Sequence, residues 1–194
     1  DKAALETFEG GANSSSVTYG TPTGYYLKKY VNKGTIIAKT GSNSFTHEWV
    51  IFRLAEFYLD YAEAALNYTS SGYTAPDGLP MTAAQAINVV RTRAKQPNMA
   101  TGLSFDAFKK KYENERFVEL AFEGHRFFDL RRWKEAPQYL KNIRGMKITR
   151  LDDGTMKYEE QTIATRTWDD KWYLFPFPQK DALNCHLTQN EGWK

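Results

Sequence analysis

Glutamates recur every four residues at Glu115, Glu119 and Glu123, a spacing that places three carboxylates along one side of a helix. Two kinds of chemistry use such groups. A pair of carboxylates can serve as acid and base on a glycosidic bond, and a larger set can hold two metal ions between helices. The di-metal bundles need a histidine three residues after a glutamate, and no glutamate in this sequence has one. The metal hypothesis is therefore disfavoured.

Arginine supplies the charge that opposes these carboxylates. Like charges four residues apart repel each other unless cations approach from elsewhere, and arginine can grip a carboxylate with two parallel hydrogen bonds. A carboxylate held in this way stays ionised and has no proton to donate, which argues against acid–base catalysis. We therefore predict a structural ion-pair network between packed helices, with no catalytic residue and no metal. Its predicted members are Arg53, Glu56, Glu63, Arg91, Glu115, Arg116, Glu119, Glu123, Arg126, Asp129 and Arg132.

The helix predicted over Trp49–Tyr68 shows why these charges would be buried. On an ideal helical wheel its charged residues fall within an arc of about 80°, and apolar residues fill most of the remainder. Removing one partner of a buried ion pair typically costs about 3–5 kcal/mol, because the other charge is left stranded. Arg116→Ala is therefore expected to unfold or disorder the domain.

Capping residues predict where the other helices begin. Thr82 and Gln85 form a capping box, and apolar residues at helical spacing follow them. Ser104 is placed to cap a third helix, which carries the three glutamates. Gly124 is the point at which this helix would bend or be interrupted before a further helical piece. Three helices or more must therefore meet for the ion pairs to form.

The rest of the sequence indicates loops and one β-hairpin. Residues 10–46 are rich in Gly, Ser, Thr and Asn and are predicted to form loops and short extended pieces. The segment Lys147–Ile163 has Asp-Gly at its centre, which is typical of a β-hairpin. The single cysteine, Cys185, has no cysteine or histidine partner at metal-ligand spacing, so a buried thiol is predicted.

Composition excludes several classes of protein. The chain of 194 residues fits one domain or a compact half of a larger one, and 41% apolar with 15% aromatic residues indicates a globular fold. A net charge of +3, spread over 26 basic and 23 acidic residues, does not favour nucleic-acid binding. The first eleven residues lack the regions of a signal peptide, so the sequence is expected to begin inside a longer precursor.

The stretch ERFVELAFEGHRFFDLRRW, residues 115–133, resembles the signature of the SusD/RagB family of outer-membrane nutrient-binding lipoproteins from Bacteroidetes. Further blocks agree in the same order: TGYYLKKY at 23–30, RLAEFYLDYAEAALN at 53–67 with AINVVRTRAKQP at 86–97, and LFPFPQKDALNCHLTQNEGW at 174–193. The last block departs from the family at Cys185 and Glu191, where proline is usual. Four ordered blocks are far more specific than any one of them.

The resemblance implies a mainly α fold, SusD-like, in which helices pack with long loops and a small β-hairpin inside a tetratricopeptide-containing architecture. It also implies that residues 1–194 form a single region, the C-terminal portion of such a protein. The N-terminal portion, which supplies most of the tetratricopeptide-like helix pairs and the lipidated cysteine, is expected to be missing from this sequence.

The resemblance further implies a non-catalytic protein without a cofactor. Family members capture glycans at the cell surface and cover a SusC-like TonB-dependent transporter in the outer membrane, to which a lipid anchor holds them. Two alternatives stay open, a RagB-like peptide-binding protein and a helical scaffold that binds no small ligand. Aromatic rings that stack on sugars usually carry the binding, and the candidates in polar or glycine-rich loops are Tyr19, Tyr25, Tyr26, Tyr73 and Trp168.

Overall fold

The computed structural model describes residues 5–18, 20–32, 34–37, 42–43 and 48–193. The chain divides into two compact units. Residues 46–128 form the first, here called the helical unit, and residues 1–45 together with 129–194 form the second, here called the hairpin unit. Six α-helices and one long antiparallel hairpin account for most of the regular structure in the described residues, so the predicted mainly α fold class with a small hairpin is confirmed.

The helical unit is built on three helices, α1 (Leu54–Thr69), α2 (Ala83–Arg93) and α3 (Phe105–Glu119). Each buries one stripe of apolar residues at helical spacing, which is the main source of stability for helices of this length. Small side chains let the backbones approach closely: a Cβ added to Gly72 would lie 2.2 Å from the ring of Phe108. The core comprises Leu59, Ala62, Ala65, Leu66, Ala83, Ala86, Ile87, Val90, Phe108 and Tyr112.

Local capping sets the starts of α2 and α3 as predicted. The backbone N–H of Gln85 donates to the Thr82 hydroxyl at 3.1 Å, and the Gln85 side chain accepts from the backbone N–H of Thr82 at 2.8 Å. The hydroxyl of Ser104 accepts from the N–H of Ala107. These bonds satisfy N–H groups that the first turn of a helix leaves without partners.

The predicted start of α1 at Trp49 is wrong, because the helix begins at Leu54. Residues 49–52 are large, exposed and apolar, and this composition is also typical of a buried helix, which is why the predicted helix includes them. Arg53 occupies the N-cap position in an extended conformation without a capping hydrogen bond. Extension of this segment leaves the Arg53 side chain at the very start of α1.

The third predicted helix was expected either to bend or to be interrupted at Gly124, and the structure shows that it is interrupted. The helix α3 ends at Glu119, and a turn follows in which Phe122 (φ 64°) and Gly124 (φ 87°) are left-handed. Left-handed residues terminate helices, and glycine adopts this conformation without steric cost. A new helix, α4, then covers His125–Arg132 and carries the chain from the helical unit into the hairpin unit.

The hairpin unit contains α5 (Ala136–Leu140) and the antiparallel strands β3 (Asn142–Arg150) and β4 (Met156–Thr165). Strands β1 (Ile36–Ile37) and β2 (Ser42–Asn43) form a short second pair. The N-terminal loops line the free edge of β3: the N–H of Glu9 donates to the carbonyl of Ile148, and the N–H of Met146 donates to the carbonyl of Thr23, both at 2.8 Å. The predicted hairpin is confirmed, and it begins five residues earlier than expected.

The tail of the hairpin unit folds into a 3₁₀ turn (Asp170–Tyr173) and a short helix, α6 (Gln179–Asn184). Cys185 directly follows α6 and is exposed. The prediction of a buried thiol is wrong, because the preceding short helix has no buried residue that would draw the cysteine inward. Over the part of the chain that the structure describes, no helix combines the length and apolar character that crossing a membrane requires.

Candidate ligand-binding site

The structure distributes the candidate aromatic residues over both units. Tyr25, Tyr26 and Trp168 belong to the hairpin unit, Tyr73 belongs to the helical unit, and Tyr19 lies outside the described residues. In the described residues no hydrogen bond or ring contact joins Trp168 to Tyr25 or Tyr26. The candidates are therefore separate features that must be judged one by one.

Trp168 is the centre of an aromatic cluster. Its ring is half-buried and packs edge-on against Trp172, with centroids 5.7 Å apart, and against Tyr173 at 5.0 Å. The guanidinium of Arg131 lies 5.6 Å from the centroid of the Trp168 ring, within the range of a cation–π interaction. We call Trp168, Trp172, Tyr173 and Arg131 the aromatic cluster. Its rings are held in fixed orientations while part of their surface stays open to solvent.

Polar groups border this cluster. The indole N–H of Trp168 donates to a carboxylate oxygen of Asp170 at 3.1 Å, and Arg131 Nε donates to the carbonyl of Trp172 at 3.2 Å. Burial lowers the pKa of Arg131. Burial, together with the charge of Asp170, raises the pKa of Tyr173, so its hydroxyl stays protonated and able to donate. An aromatic surface with carboxylates and hydroxyl groups at its rim can bind a ligand that has both apolar C–H faces and hydroxyl groups.

The tail block at 174–193 holds this cluster in place through backbone contacts. The indole N–H of Trp193 lies 3.0 Å from two carbonyl oxygens, those of Lys171 and Leu174. Gln189 makes two hydrogen bonds to the backbone of Phe177, at 2.8 and 2.9 Å. Side chains that satisfy main-chain groups in this way fix an otherwise irregular segment. The tail therefore serves as a frame for the 3₁₀ turn.

Tyr25 and Tyr26 lie on a loop that touches β3. Gly24 has φ 72°, and a Cβ added there would lie 2.4 Å from the carbonyl oxygen of Met146, so only glycine permits this approach. The Tyr26 hydroxyl donates to the carbonyl of Asn13 at 2.9 Å, whereas Tyr25 is 59% exposed. Tyr25 is thus the ring of this loop that is open to a ligand.

Tyr73 has structural contacts at both ends. Its hydroxyl donates to the carbonyl of Ala100 at 2.6 Å and accepts from the N–H of Leu103 at 3.1 Å. Its ring packs edge-on against Phe108 with centroids 5.4 Å apart. These contacts tie the loops on either side of α2 to the start of α3 and use the hydroxyl that would face a ligand.

Arg53 is the centre of the densest group of charges in the helical unit. It donates bidentately to Glu123, at 2.6 and 2.8 Å, and reaches both the carboxylate of Glu119 at 2.5 Å and its backbone carbonyl at 2.6 Å. Arg93 donates to the same Glu119 oxygen at 2.5 Å. Burial alone would lower the pKa of Arg53, but the hydrogen bonds and charges of Glu123 and Glu119 outweigh it and raise that pKa. We call Arg53, Arg93, Glu119 and Glu123 the ion-pair cluster.

The other predicted members of the network form smaller pairs. Residues that the prediction did not include complete several of them, namely Asp60, Tyr112, Phe117 and His125. The contacts are Arg91 with Glu115, Arg116 with Asp60, Tyr112 with Glu63, His125 with Glu56 at 3.6 Å, Arg126 over the Phe117 ring, and Arg132 with Asp129. The helical wheel indicated which side of each helix is charged, but the pairing depends on how the helices pack.

The carboxylates of the ion-pair cluster are paired with arginines. Glu119 accepts hydrogen bonds from two arginines, Arg53 and Arg93. In the described residues, no group of three or more His, Cys, Asp or Glu side chains is arranged to hold a metal ion. The aromatic cluster is therefore the better candidate for a functional site.

Comparisons with known proteins agree with the sequence blocks. The model of the SusD family matches residues 3–193. The fold is similar to that of a solved structure, a SusD-like protein from Bacteroides fragilis, with a TM-score of 0.75 and 29% sequence identity. The match covers 93% of this chain and 33% of the solved one, so this chain spans about a third of the length of that protein. No curated protein matches the sequence.

Proposed function

The chain belongs to the SusD family, and on this premise we propose that it binds glycans at the cell surface and delivers them to a SusC-like TonB-dependent transporter in the outer membrane. Proteins of this family bind nutrients and are not enzymes. The observation that carries the proposal within this chain is the aromatic cluster. Trp168 offers a ring of fixed orientation, its indole N–H donates to the carboxylate of Asp170, and Asp169 is the next residue in the chain.

A sugar presents one face of C–H groups and a rim of hydroxyl groups, and this cluster offers a partner for each. The C–H face would pack on the open part of the Trp168 ring, which buries apolar surface without losing a hydrogen bond. Hydroxyl groups would donate to Asp169, whose side chain is 53% exposed. Because the cluster is already ordered by its frame, little conformational entropy is lost when a ligand binds.

The proposal also assigns a location. In the family, a lipid on an N-terminal cysteine holds the protein to the outer membrane, and we propose the same anchor for the protein to which this chain belongs. The single-region organisation of residues 1–194 as a C-terminal portion stays a prediction. Labelling of intact cells with a membrane-impermeant reagent would test surface exposure, and extraction into the soluble fraction without detergent would contradict the anchor.

Calorimetric titration of the full-length protein with a panel of soluble glycans tests the binding function. A glycan that binds the unaltered protein is expected to bind Trp168→Ala about tenfold more weakly, since a nucleic-acid base stacked on one aromatic ring gains about 1–3 kcal/mol and we expect a stacked sugar to gain a similar amount. Trp168→Phe keeps a ring and is expected to lie in between. Trp49→Ala is the matched control, because Trp49 is an exposed tryptophan of the other unit.

Three outcomes would overturn parts of this proposal. Equal affinity of Trp168→Ala and the unaltered protein, at unchanged melting temperature, would remove Trp168 from the site. Binding of peptides but of no glycan would replace the ligand class. Co-purification with a barrel transporter, together with no measurable binding of any glycan in the panel, would favour a scaffold without a small ligand.

A further inference from the structure

A recess lies in the helical unit and contains no residue of the aromatic cluster. It has a volume of about 390 Å³ and opens beside the C-terminal half of α1. One wall is formed by Tyr61, Ala64, Ala65 and Tyr68 of α1, and the other by the turn that contains Pro76, Asp77 and Leu79. This size falls within the range of small-ligand sites.

The sequence of α1 explains why the recess exists. Its four lining residues follow the spacing i, i+3, i+4 and i+7, which places them on one face of the helix. The two alanines leave a notch one turn long between the rings of Tyr61 and Tyr68, because their side chains end at Cβ. The recess therefore has an aromatic ring at each end and an apolar floor.

Hydrogen bonds hold the opposite wall in position. The hydroxyl of Tyr61 donates to the carbonyl of Met81 at 2.5 Å, and the N–H of Leu79 donates to the carbonyl of Pro76 at 3.0 Å, closing a tight turn. Gly78 has φ 76°, as the third residue of a type II turn requires. The recess is therefore formed before any ligand arrives, apart from rotation of the exposed Tyr68 and Asp77 side chains.

Charge gives the recess a polarity. From Leu54 to Val90 the sequence contains four carboxylates and no lysine, arginine or histidine. Three of the four carboxylates have partners on α3 or α4, in the pairs Asp60–Arg116, Glu63–Tyr112 and Glu56–His125. The fourth is Asp77, and within the described residues no ion pair or hydrogen bond engages its side chain. An uncompensated negative charge thus stands at the rim of an apolar recess.

These features suit a cation on an apolar stem. The stem would pack against Ala64, Ala65 and Pro76, and the cation would lie over the Tyr68 ring and beside the Asp77 carboxylate. A sugar fits less well, because the floor is apolar and the Tyr61 hydroxyl already donates to Met81. A planar guanidinium can stack on a ring and bond bidentately to a carboxylate at once, whereas an ammonium cannot.

We propose that the recess between α1 and the Pro76–Leu79 turn binds the arginine side chain of a soluble peptide. This inference goes beyond the proposed glycan binding and does not rest on it, because it concerns another ligand class and another unit of the chain. Substitutions at Asp77 and at Trp168 therefore report on the two proposals separately.

The test uses the full-length protein and the blocked tripeptide acetyl-Gly-Arg-Gly-amide, followed by NMR chemical-shift titration. The same peptide with citrulline in place of arginine has nearly the same shape and no charge. We expect Asp77→Asn to weaken binding of the arginine peptide about tenfold, and we expect the citrulline peptide to bind the unaltered protein about tenfold more weakly. Asp152→Asn is the matched control, since it removes one exposed carboxylate from the hairpin unit and is expected to change nothing.

A filling substitution tests the location independently of charge. Ala64 is exposed and lies inside a helix, so Ala64→Leu keeps a good helix former and is expected to preserve the melting temperature. Its added atoms would occupy the notch, and binding of the arginine peptide is expected to fall by at least tenfold. Absence of binding to the unaltered protein would overturn the proposal. So would equal affinity for the citrulline peptide, or unchanged affinity in both Asp77→Asn and Ala64→Leu.

Discussion

The ion-pair cluster of the helical unit and the aromatic cluster of the hairpin unit differ in how completely their polar groups are used. Arg53 donates four hydrogen bonds to Glu119 and Glu123, whose side chains are only 11% and 6% exposed. In the aromatic cluster the rings are half-buried, and Asp169, which pairs with Lys171 at 3.7 Å, keeps a side chain that is 53% exposed. A group with all its partners inside the protein fixes structure, whereas a group with open surface can bind something new.

The difference also bears on our proposal, which puts the ligand site outside the most specific sequence signature. Arginine and glutamate at fixed spacing are needed wherever two helices must pack in one register, because a shift of one residue would strand several charges at once. The ring that meets a ligand has fewer internal constraints. The most recognisable residues of this chain therefore indicate the fold, and we propose that exposure, not the signature, marks the residues that bind a ligand.

The largest effect should follow from Arg53→Ala. This substitution leaves the carboxylates of Glu119 and Glu123 without their main cation, and we expect it to lower the free energy of unfolding by about 3–5 kcal/mol. Arg93→Ala is the matched control, because Arg93 bonds to the same Glu119 oxygen but its side chain is 62% exposed. Exposed pairs are worth about 0–1 kcal/mol. Urea unfolding monitored by circular dichroism measures both values.

Similar losses in the two variants would break the comparison, because burial would then not be what makes the ion-pair cluster strong. Arg116→Ala adds a further distinction. The Arg116 side chain is buried, but its partner Asp60 is half exposed and can recover water when the arginine is removed. We therefore revise the expectation that Arg116→Ala unfolds the domain: the loss should come mainly from packing of the arginine stem, and it should be smaller than that of Arg53→Ala in the same urea experiment.

The second effect concerns the loop that carries Tyr25. Gly24→Ala places a Cβ 2.4 Å from the Met146 carbonyl in a left-handed residue, and we expect a loss of about 2 kcal/mol together with displacement of the loop from β3. Gly154→Ala is the matched control, because Gly154 has φ 83° but no atom within 4 Å of an added Cβ. It should cost about 1 kcal/mol. Equal losses measured by thermal unfolding would show that the close approach to β3 is unimportant.

Whether a contact could be predicted from the sequence depended on how many residues separate its two partners along the chain. Thr82 and Ser104 were identified as caps because a cap and its target lie within three residues of each other. The charged sides of the helices were also predictable from their periodicity. The pairing of Arg53 with Glu123 was not, because 70 residues separate them and only helix packing brings them together.

The aromatic cluster was predicted only in part, for a related reason. Trp168 is a candidate because its neighbours are polar, but no sequence pattern indicates Arg131 as its partner. Arg131 contacts the backbone of Trp172 across 41 positions of the chain. The extended start of α1 was missed because exposed apolar residues at 49–52 have the composition of a buried helix. A pattern of residue types cannot distinguish a surface that another part of a protein covers from one that stays open.

The third effect separates the frame of the aromatic cluster from its binding surface. Trp193→Phe removes the indole N–H that bonds to the carbonyls of Lys171 and Leu174, and we expect a loss of about 1 kcal/mol in unfolding free energy. Trp168→Phe loses the bond to the exposed Asp170 but keeps a ring beside Trp172, Tyr173 and Arg131, and it should be less destabilising. Glycan affinity should fall more in Trp168→Phe. The opposite ranking in calorimetry would show that the tail block, and not Trp168, contacts the ligand.

The smallest predicted effect concerns Asp153, an exposed carboxylate that accepts hydrogen bonds. It tests whether burial is needed for such bonds to contribute to stability. In the hairpin turn Asp153 accepts from the hydroxyl of Thr155 at 2.6 Å and from its N–H at 2.9 Å, and these bonds hold the pKa of Asp153 below its ordinary value of 3.8. A lowered pKa in the folded state contributes stability that is present above the ordinary value and is lost as the pH falls through the folded-state pKa.

Thr155→Val removes the hydroxyl bond and keeps the backbone bond, so the pKa of Asp153 should rise part of the way towards 3.8 and the acid-side loss of stability should shrink. Carboxyl chemical shifts followed by NMR from pH 2 to 6 measure the change, with Thr162→Val on β4 as the control that leaves Asp153 alone. An unmoved pKa would mean that the hydroxyl bond does not form in water. We expect the pKa of Asp153 to rise without any measurable change in melting temperature at neutral pH. The reason is that a carboxylate in full contact with solvent can replace a lost hydrogen bond with one to water. The buried carboxylates of Glu119 and Glu123 cannot do so.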